Sequence, residues 1–150
     1  MEKMREISFR GRRLDNGAWV EGGYHKQTLR DGTQREKHFI IVSSERPGYP
    51  FEYFEVDPGT VCQRTEAKDS NGNWIFEGDI VNSIYEPKGE PAFEDLAVVS
   101  WTGGGFFNMY KNAAGEWTDY DWVVDETYLE SEASKRIVIG NIHENKDLLR

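Results

Sequence analysis

The chain is 150 residues long, room for one ordinary domain, which at this size buries roughly 70% of its unfolded surface and needs no metal or disulfide to fold. Its 27 acidic side chains outweigh 18 basic ones for a net charge of −9, a balance that opposes phosphate backbones and argues against a generic nucleic-acid binder. A single cysteine, no apolar run near the roughly 20 residues that span a bilayer, and an opening MEKMREISFR without a secretory apolar stretch together predict a soluble cytoplasmic protein with no membrane partner.

The charge is unevenly spread. Residues 1–40 hold nine Lys and Arg against six Asp and Glu, a net +3, whereas residues 41–150 hold nine against twenty-one, a net −12. The basic part can face the acidic part of the same chain or of another copy, or both can be merely solvated surface. Twenty aromatic residues (Trp 5, Tyr 7, Phe 8) predict a core resting on a few large rings.

In chain order, Arg5–Arg13 reads as a first strand, and Asp15-Asn16-Gly17 as a tight turn. Ala18–Arg30 is a second strand in which Gly22-Gly23 marks a bulge or close packing. Asp31-Gly32 turns the chain into Thr33–Ser43, so residues 1–45 form a three-stranded meander. Arg46–Pro50 is loop, because neither proline can donate to a ladder. Phe51–Val56 alternates partly, and Asp57-Pro58-Gly59 turns the chain again. Val61–Thr65 and Trp74–Phe76 flank a hairpin loop at Asp69–Gly72. Ile80–Tyr85 is a strand, with Ile80, Asn82 and Ile84 on one face and Val81, Ser83 and Tyr85 on the other. A polar loop over Glu86–Glu94 precedes Leu96–Trp101 and Phe106–Tyr110, which pair across Gly103-Gly104-Gly105. Asp125–Lys135 is the one helix expected in mid-chain, Arg136–Ile142 the last strand, and Asn145 the N-cap of a short turn holding Leu148 and Leu149.

These elements predict one mainly β domain over residues 1–150. It is expected to be a strand-rich barrel or half-barrel, meander first and barrel-like remainder after it, with one or two short helices. The expected core comprises Phe9, Trp19, Phe39, Ile41, Val61, Trp74, Ile80, Val98, Trp101, Val138 and Ile142.

Several side chains carry chemistry in principle. Glu77 and Asp79 are two apart, which on an extended segment places both carboxylates on one face. A structural alternative is that Gly78 lets the chain diverge while Asp79 accepts backbone hydrogen bonds, as in the diverging turn of SH3-like barrels. A two-residue loop at Asp31-Gly32 would set His25 opposite His38, a pair able to bind a metal or sense pH. That register also opposes Lys26 to Lys37, and no further Cys or His is near in sequence to complete a tetrahedral site. His143 beside Asn145 reads as structural, and Cys62, between Val61 and Gln63 in a strand, as a small buried hydrophobe rather than a nucleophile. Gly103–Gly105 leads into Phe106-Phe107 instead of Lys-Ser and a helix, so it is a turn and not a phosphate loop. Residues 116–132 hold seven carboxylates and no base, interleaved with Trp117, Tyr120, Trp122 and Tyr128. They form a solvated face over inward rings, a protein-binding surface, or a row imitating DNA phosphates. No catalytic, cofactor-binding or metal residue is assigned, and no cofactor is expected.

Three stretches in order resemble one family. Arg5-Glu6-Ile7-Ser8-Phe9-Arg10-Gly11, with Gly17, Trp19-Val20 and Gly22, comes first. Val56–Thr65 then leads through Lys68–Gly72 into Ile75-Phe76-Glu77-Gly78-Asp79-Ile80-Val81, and Val138-Ile139-Gly140-Asn141-Ile142-His143-Glu144-Asn145 precedes Leu148-Leu149. The order is similar to that of the YopX-like proteins, small proteins encoded by bacteriophages and prophages. Two positions depart from the pattern: Glu66 stands where the family's Gln-x-Thr-Gly has glycine, and Lys146 where proline usually follows the last Asn. The resemblance implies a β-type fold, a phage or prophage origin in a bacterial host cell, and a tendency to self-assemble, but no biochemical activity. The expected function is therefore a non-enzymatic, self-associating interaction or accessory protein: a homo-oligomer with an unidentified protein partner and no nucleic acid. An acidic DNA-mimicking decoy is the first alternative, and a hydrolase using Glu77, Asp79 or the histidines the last.

Overall fold

The computed structural model describes residues 4–102, 105–112, 114–122 and 134–150. The chain divides into two compact units, Met1–Arg64 and Thr65–Arg150. Both are antiparallel β structures, and the only helical turns among the described residues are two short 3-10 turns, Pro58–Thr60 and Lys146–Leu149.

In the first unit β1 (Phe9–Arg12), β2 (Trp19–Thr28), β3 (Glu36–Ser43) and β4 (Phe51–Glu55) lie in the order β4-β3-β2-β1. The expected meander thus gains a fourth strand. Cys62 and Gln63, the start of β5 (Cys62–Lys68), pair with the far side of β1. The β1–β2 turn forms as its residue types require: Arg13 donates its N–H to Ala18 O at 2.9 Å, and the Asn16 side chain accepts from Ala18 N. The sheet coils until the ends of β1 and β4 meet. Arg13 bridges Val56, Leu14 N–H reaches Glu55 O at 3.0 Å, and Asp57 N–H reaches Arg12 O at 2.9 Å. Ile40 and Val56 are fully buried on the inside of this curl, where Val56 packs within 3.0 Å of the Cβ position of Gly11. No closed barrel forms among the described residues, so the barrel expected of the remainder gives way to two antiparallel sheets.

In the second unit β5 continues into a hairpin with β6 (Trp74–Phe76) across Asp69–Gly72. The strands β7 (Asp79–Tyr85), β8 (Phe93–Thr102), β9 (Gly105–Lys111), β10 (Trp117–Trp122) and β11 (Ser134–Asn141) form a sheet in the order β10-β9-β8-β7-β11. Alternation along the strands makes two faces. Val81, Val99 and Phe106 cluster on one face with Ala67 and Ile75 of the hairpin, and Val138 packs against them. Ile80 and Val98, paired across β7 and β8, are buried on the other.

Three expectations change. Trp74 and Trp101 are exposed, at 37% and 49%, rather than core. Trp74 starts β6 and lies under the Lys68 ammonium at 4.5 Å, while Trp101, near the end of β8, meets Phe106 edge to face at 4.8 Å. No secondary structure was assigned from the sequence to Trp117–Trp122, which forms a strand. Of the helix expected at Asp125–Lys135, Ser134 and Lys135 belong to β11, and the rest lies outside the described residues. Asn145 does not cap the last turn with its side chain.

Gly22 reports how tightly the first sheet coils. A Cβ there would fall 2.1 Å from Ile41 O, an immovable backbone atom. Gly22→Ala is expected to destabilise the protein by about 1–3 kcal/mol through overpacking, read as a lower denaturant midpoint, whereas Gly23→Ala, whose Cβ would meet only Ile41 O at an ordinary 3.9 Å, should cost less.

Candidate functional site

The motif residues of the second half meet at one place. Phe76, Glu77, Gly78 and Asp79 form the tight connection from β6 to β7, with Gly78 at φ +83°, a left-handed conformation that side chains resist. Gly78 N–H donates to Val99 O at 2.7 Å, and Gly78 O accepts from Ile142 N–H at 2.9 Å. Asp79 is 1% exposed and its Oδ2 accepts the Phe76 N–H at 2.8 Å. On the paired strand Asn141 stands opposite Asp79. Its Oδ1 accepts from His143 N and Glu144 N at 2.9 and 3.1 Å, while Asn145 Oδ1 accepts from Asn141 N at 3.2 Å. Gly140 leaves room for that hook, since a Cβ would fall 2.5 Å from Asn145 Oδ1. The side-chain oxygens of Asp79, Asn141 and Asn145 therefore serve main-chain N–H groups that this turn strips from water. His143 is half-buried with Nε2 3.7 Å from the Cβ position of Gly78. The diverging-turn expectation for Gly78 and Asp79 holds.

A second buried carboxylate was not singled out from the sequence. Asp69, 5% exposed, accepts Asn71 N and Asn73 N on Oδ1 at 3.0 and 2.9 Å, and Val138 N on Oδ2 at 3.1 Å. Ser70 exchanges two bonds with Arg136, its N–H to Arg136 O at 2.8 Å and its Oγ from Arg136 N at 2.9 Å. The hairpin loop thereby covers the outer edge of β11. The signal was present, because Asp-x-Asn-Gly favours a side-chain-closed turn, but its long-range partner had no local trace.

The histidine pair does not form. The register sets His25 opposite Phe39 and His38 opposite Lys26, one residue away from the expected pairing. In a strand a one-residue slip moves a side chain to the other face. The cause is the loop, which runs from Leu29 to Arg35 rather than two residues. Leu29 N–H bonds Arg35 O at 2.8 Å, and Asp31 accepts from both the hydroxyl and the N–H of Thr33 and from Arg35 Nη2. The Thr33 hydroxyl bond, then its N–H and the Arg35 guanidinium, hold the Asp31 carboxyl below the usual carboxylate range. His38 instead shares a 2.6 Å hydrogen bond through Nδ1 with the Tyr24 hydroxyl and stacks on that ring. Among the described residues no three His, Cys, Asp or Glu side chains are grouped to hold a metal. Cys62 is buried with Sγ 3.1 Å from Thr60 O, the small-hydrophobe setting expected of it.

Of the acidic stretch 116–132, Glu116 is exposed and accepts from Asn112 Nδ2 at 3.1 Å, residues 117–122 form β10, and residues 123–132 lie outside the described residues. Gly105 opens β9, while Gly103 and Gly104 also lie outside. Two apolar surfaces are open. Phe51 and Tyr53 stand out from β4, 54% and 60% exposed. In the second unit Val98, Ser100, Met109, Trp117, Ile142 and Leu149 line a cleft of about 320 Å³, beside which Lys111 Nζ donates to Leu149 O at 2.7 Å. None of the six lining side chains ionises, so the cleft can receive an apolar group but offers it no acid or base.

No curated protein matches the chain. Among solved structures it is similar to protein EF1440 from Enterococcus faecalis, at 28% sequence identity and a TM-score of 0.51, over 97% of this chain and 99% of that one. The family model described as YopX protein matches residues 8–150, taking in the Glu77-Gly78-Asp79 turn and the Gly140–Asn145 hook. The chain belongs to the YopX protein family.

Proposed function

We propose that this protein is a non-enzymatic, self-associating accessory protein of a phage or prophage, working in the bacterial cytoplasm by binding protein rather than by turning over a substrate. The observation that carries this reading is what the family's motif residues do. Asp79, Asn141 and Asn145 spend their side-chain oxygens on main-chain N–H groups, so the motifs build a scaffold. Membership of the YopX family supports the phage or prophage setting. The +3 of residues 1–40 against the −12 of the remainder, with Phe51 and Tyr53 standing in solvent, supports association between copies.

Three measurements test the reading. Asp79→Ala is expected to leave the Phe76 N–H unsatisfied and to cost about 1–3 kcal/mol in chemical denaturation, while Asp79→Asn, which keeps an acceptor, should cost less. A catalytic carboxylate would instead lose function in both variants with folding intact. Light scattering of the purified protein at low salt is expected to give a mass above the monomer that falls as salt rises, since exposed charges are screened beyond about 8 Å at physiological ionic strength. A monomer under all conditions overturns self-association. Anisotropy titration with duplex DNA at physiological salt is expected to show no binding, because duplex carries one negative charge per roughly 1.7 Å and its capture needs a surplus of cations. Salt-sensitive micromolar binding would overturn the protein-binding reading.

A further inference from the structure

The strand β2 is longer than its partner on one side. β1 covers it only from Trp19 to Gly22, whereas β3 pairs with it from Gly23 to Thr28. The Leu29 N–H to Arg35 O bond sets the phase of that ladder. Antiparallel alternation then directs the main-chain groups of Gly23, His25 and Gln27 to β3, and those of Tyr24, Lys26 and Thr28 away from it. No described strand pairs with that outer edge, and residues His25–Arg30 line an open trough beside it. An edge of this kind is a template for another strand. Its one guard is Lys26, half-exposed and 3.1 Å from Glu36; Arg30 stands exposed at the end of the trough. A lysine on an edge repels indiscriminate pairing and favours an acidic incoming strand.

The chain contains such a strand. From Asn112 to Ser134 it has no Lys or Arg, and β10 carries Asp119 and Asp121 directly after Glu116. β10 ends the strand order of the second sheet, with no described strand on its outer side. We propose that the outer edge of β2 at Tyr24–Thr28 is a strand-docking site, and that its occupant is β10 of a second copy. The inference rests on the self-association proposed above and names its surface. Because the two edges differ, the contact is heterologous, each copy offering one edge of each kind.

A proline tests it directly. Lys26→Pro removes an N–H that donates nothing to β3, so the β2–β3 ladder survives while the docking edge loses a donor. Light scattering at low salt is expected to show assembled wild type and monomeric Lys26→Pro, with matching thermal midpoints at high salt, where both are monomeric. Charge exchange gives a second variant set. A chain with Lys26→Glu and Arg30→Glu, and a chain with Asp119→Lys and Asp121→Lys, should each assemble less than wild type alone and recover association when mixed. An oligomer that persists in Lys26→Pro, or no recovery on mixing, overturns the β2–β10 contact and leaves self-association standing. A monomeric wild type overturns both.

Discussion

The main chain at Gly78 is the constraint on which the second unit depends. One residue donates to β8 through Val99 O and accepts from the Ile142 N–H beyond β11, while the next supplies the buried carboxylate that holds Phe76. Only a residue free to take φ +83° reverses the chain there and keeps both main-chain groups pointed at their partners. The β7 strand, with Ile80 and Val81 buried on opposite faces, starts from this point and carries the registers of β8 and β11. The Gly140–Asn145 hook completes the arrangement: Asn145 bends back to Asn141, and a Cβ at Gly140 would block it.

Carboxylates do similar work elsewhere, which explains how an acidic chain holds buried acids. Asp69 and Asp79 both exchange water for main-chain N–H groups, a charge-assisted arrangement that offsets the desolvation of each. At the surface Asp15 is gripped by Arg13 through two hydrogen bonds, which hold its carboxyl below the usual range. The outer edge of β11 is closed by the Asp69–Ser70 loop. The outer edge of β2 has no comparable cover among the described residues, and that contrast directs attention to β2 as a surface for partners.

Much of the local structure was legible because its causes are local. Asp15-Asn16-Gly17, Asp57-Pro58-Gly59 and Asp69–Gly72 turn where their side chains and glycines favour turning, and the strands between them follow from β-branched and aromatic runs. Of the two roles the sequence offers Gly22, a bulge or close packing, the structure shows close packing, against the backbone of β3. The role of Asp79 at a diverging turn was also readable, since Gly-Asp before an alternating apolar run leaves the carboxylate beside freed N–H groups.

By itself, then, the sequence determined a mainly β chain, the position of most turns, and the membership of a family whose motifs are spread over its length. Only the tertiary structure decided register and burial. His25 and His38 part company because Asp31, Thr33 and Arg35 knit a seven-residue loop, and in a strand one residue of slip changes the face. Trp74 and Trp101 reach solvent because burial depends on what lies across from a strand's end, which no run of apolar residues records. Asp69 meets Val138, and Gly78 meets Ile142, across some sixty-five residues of chain. Such pairings are chosen by the need to satisfy every main-chain group shut away from water, a requirement that belongs to the folded whole.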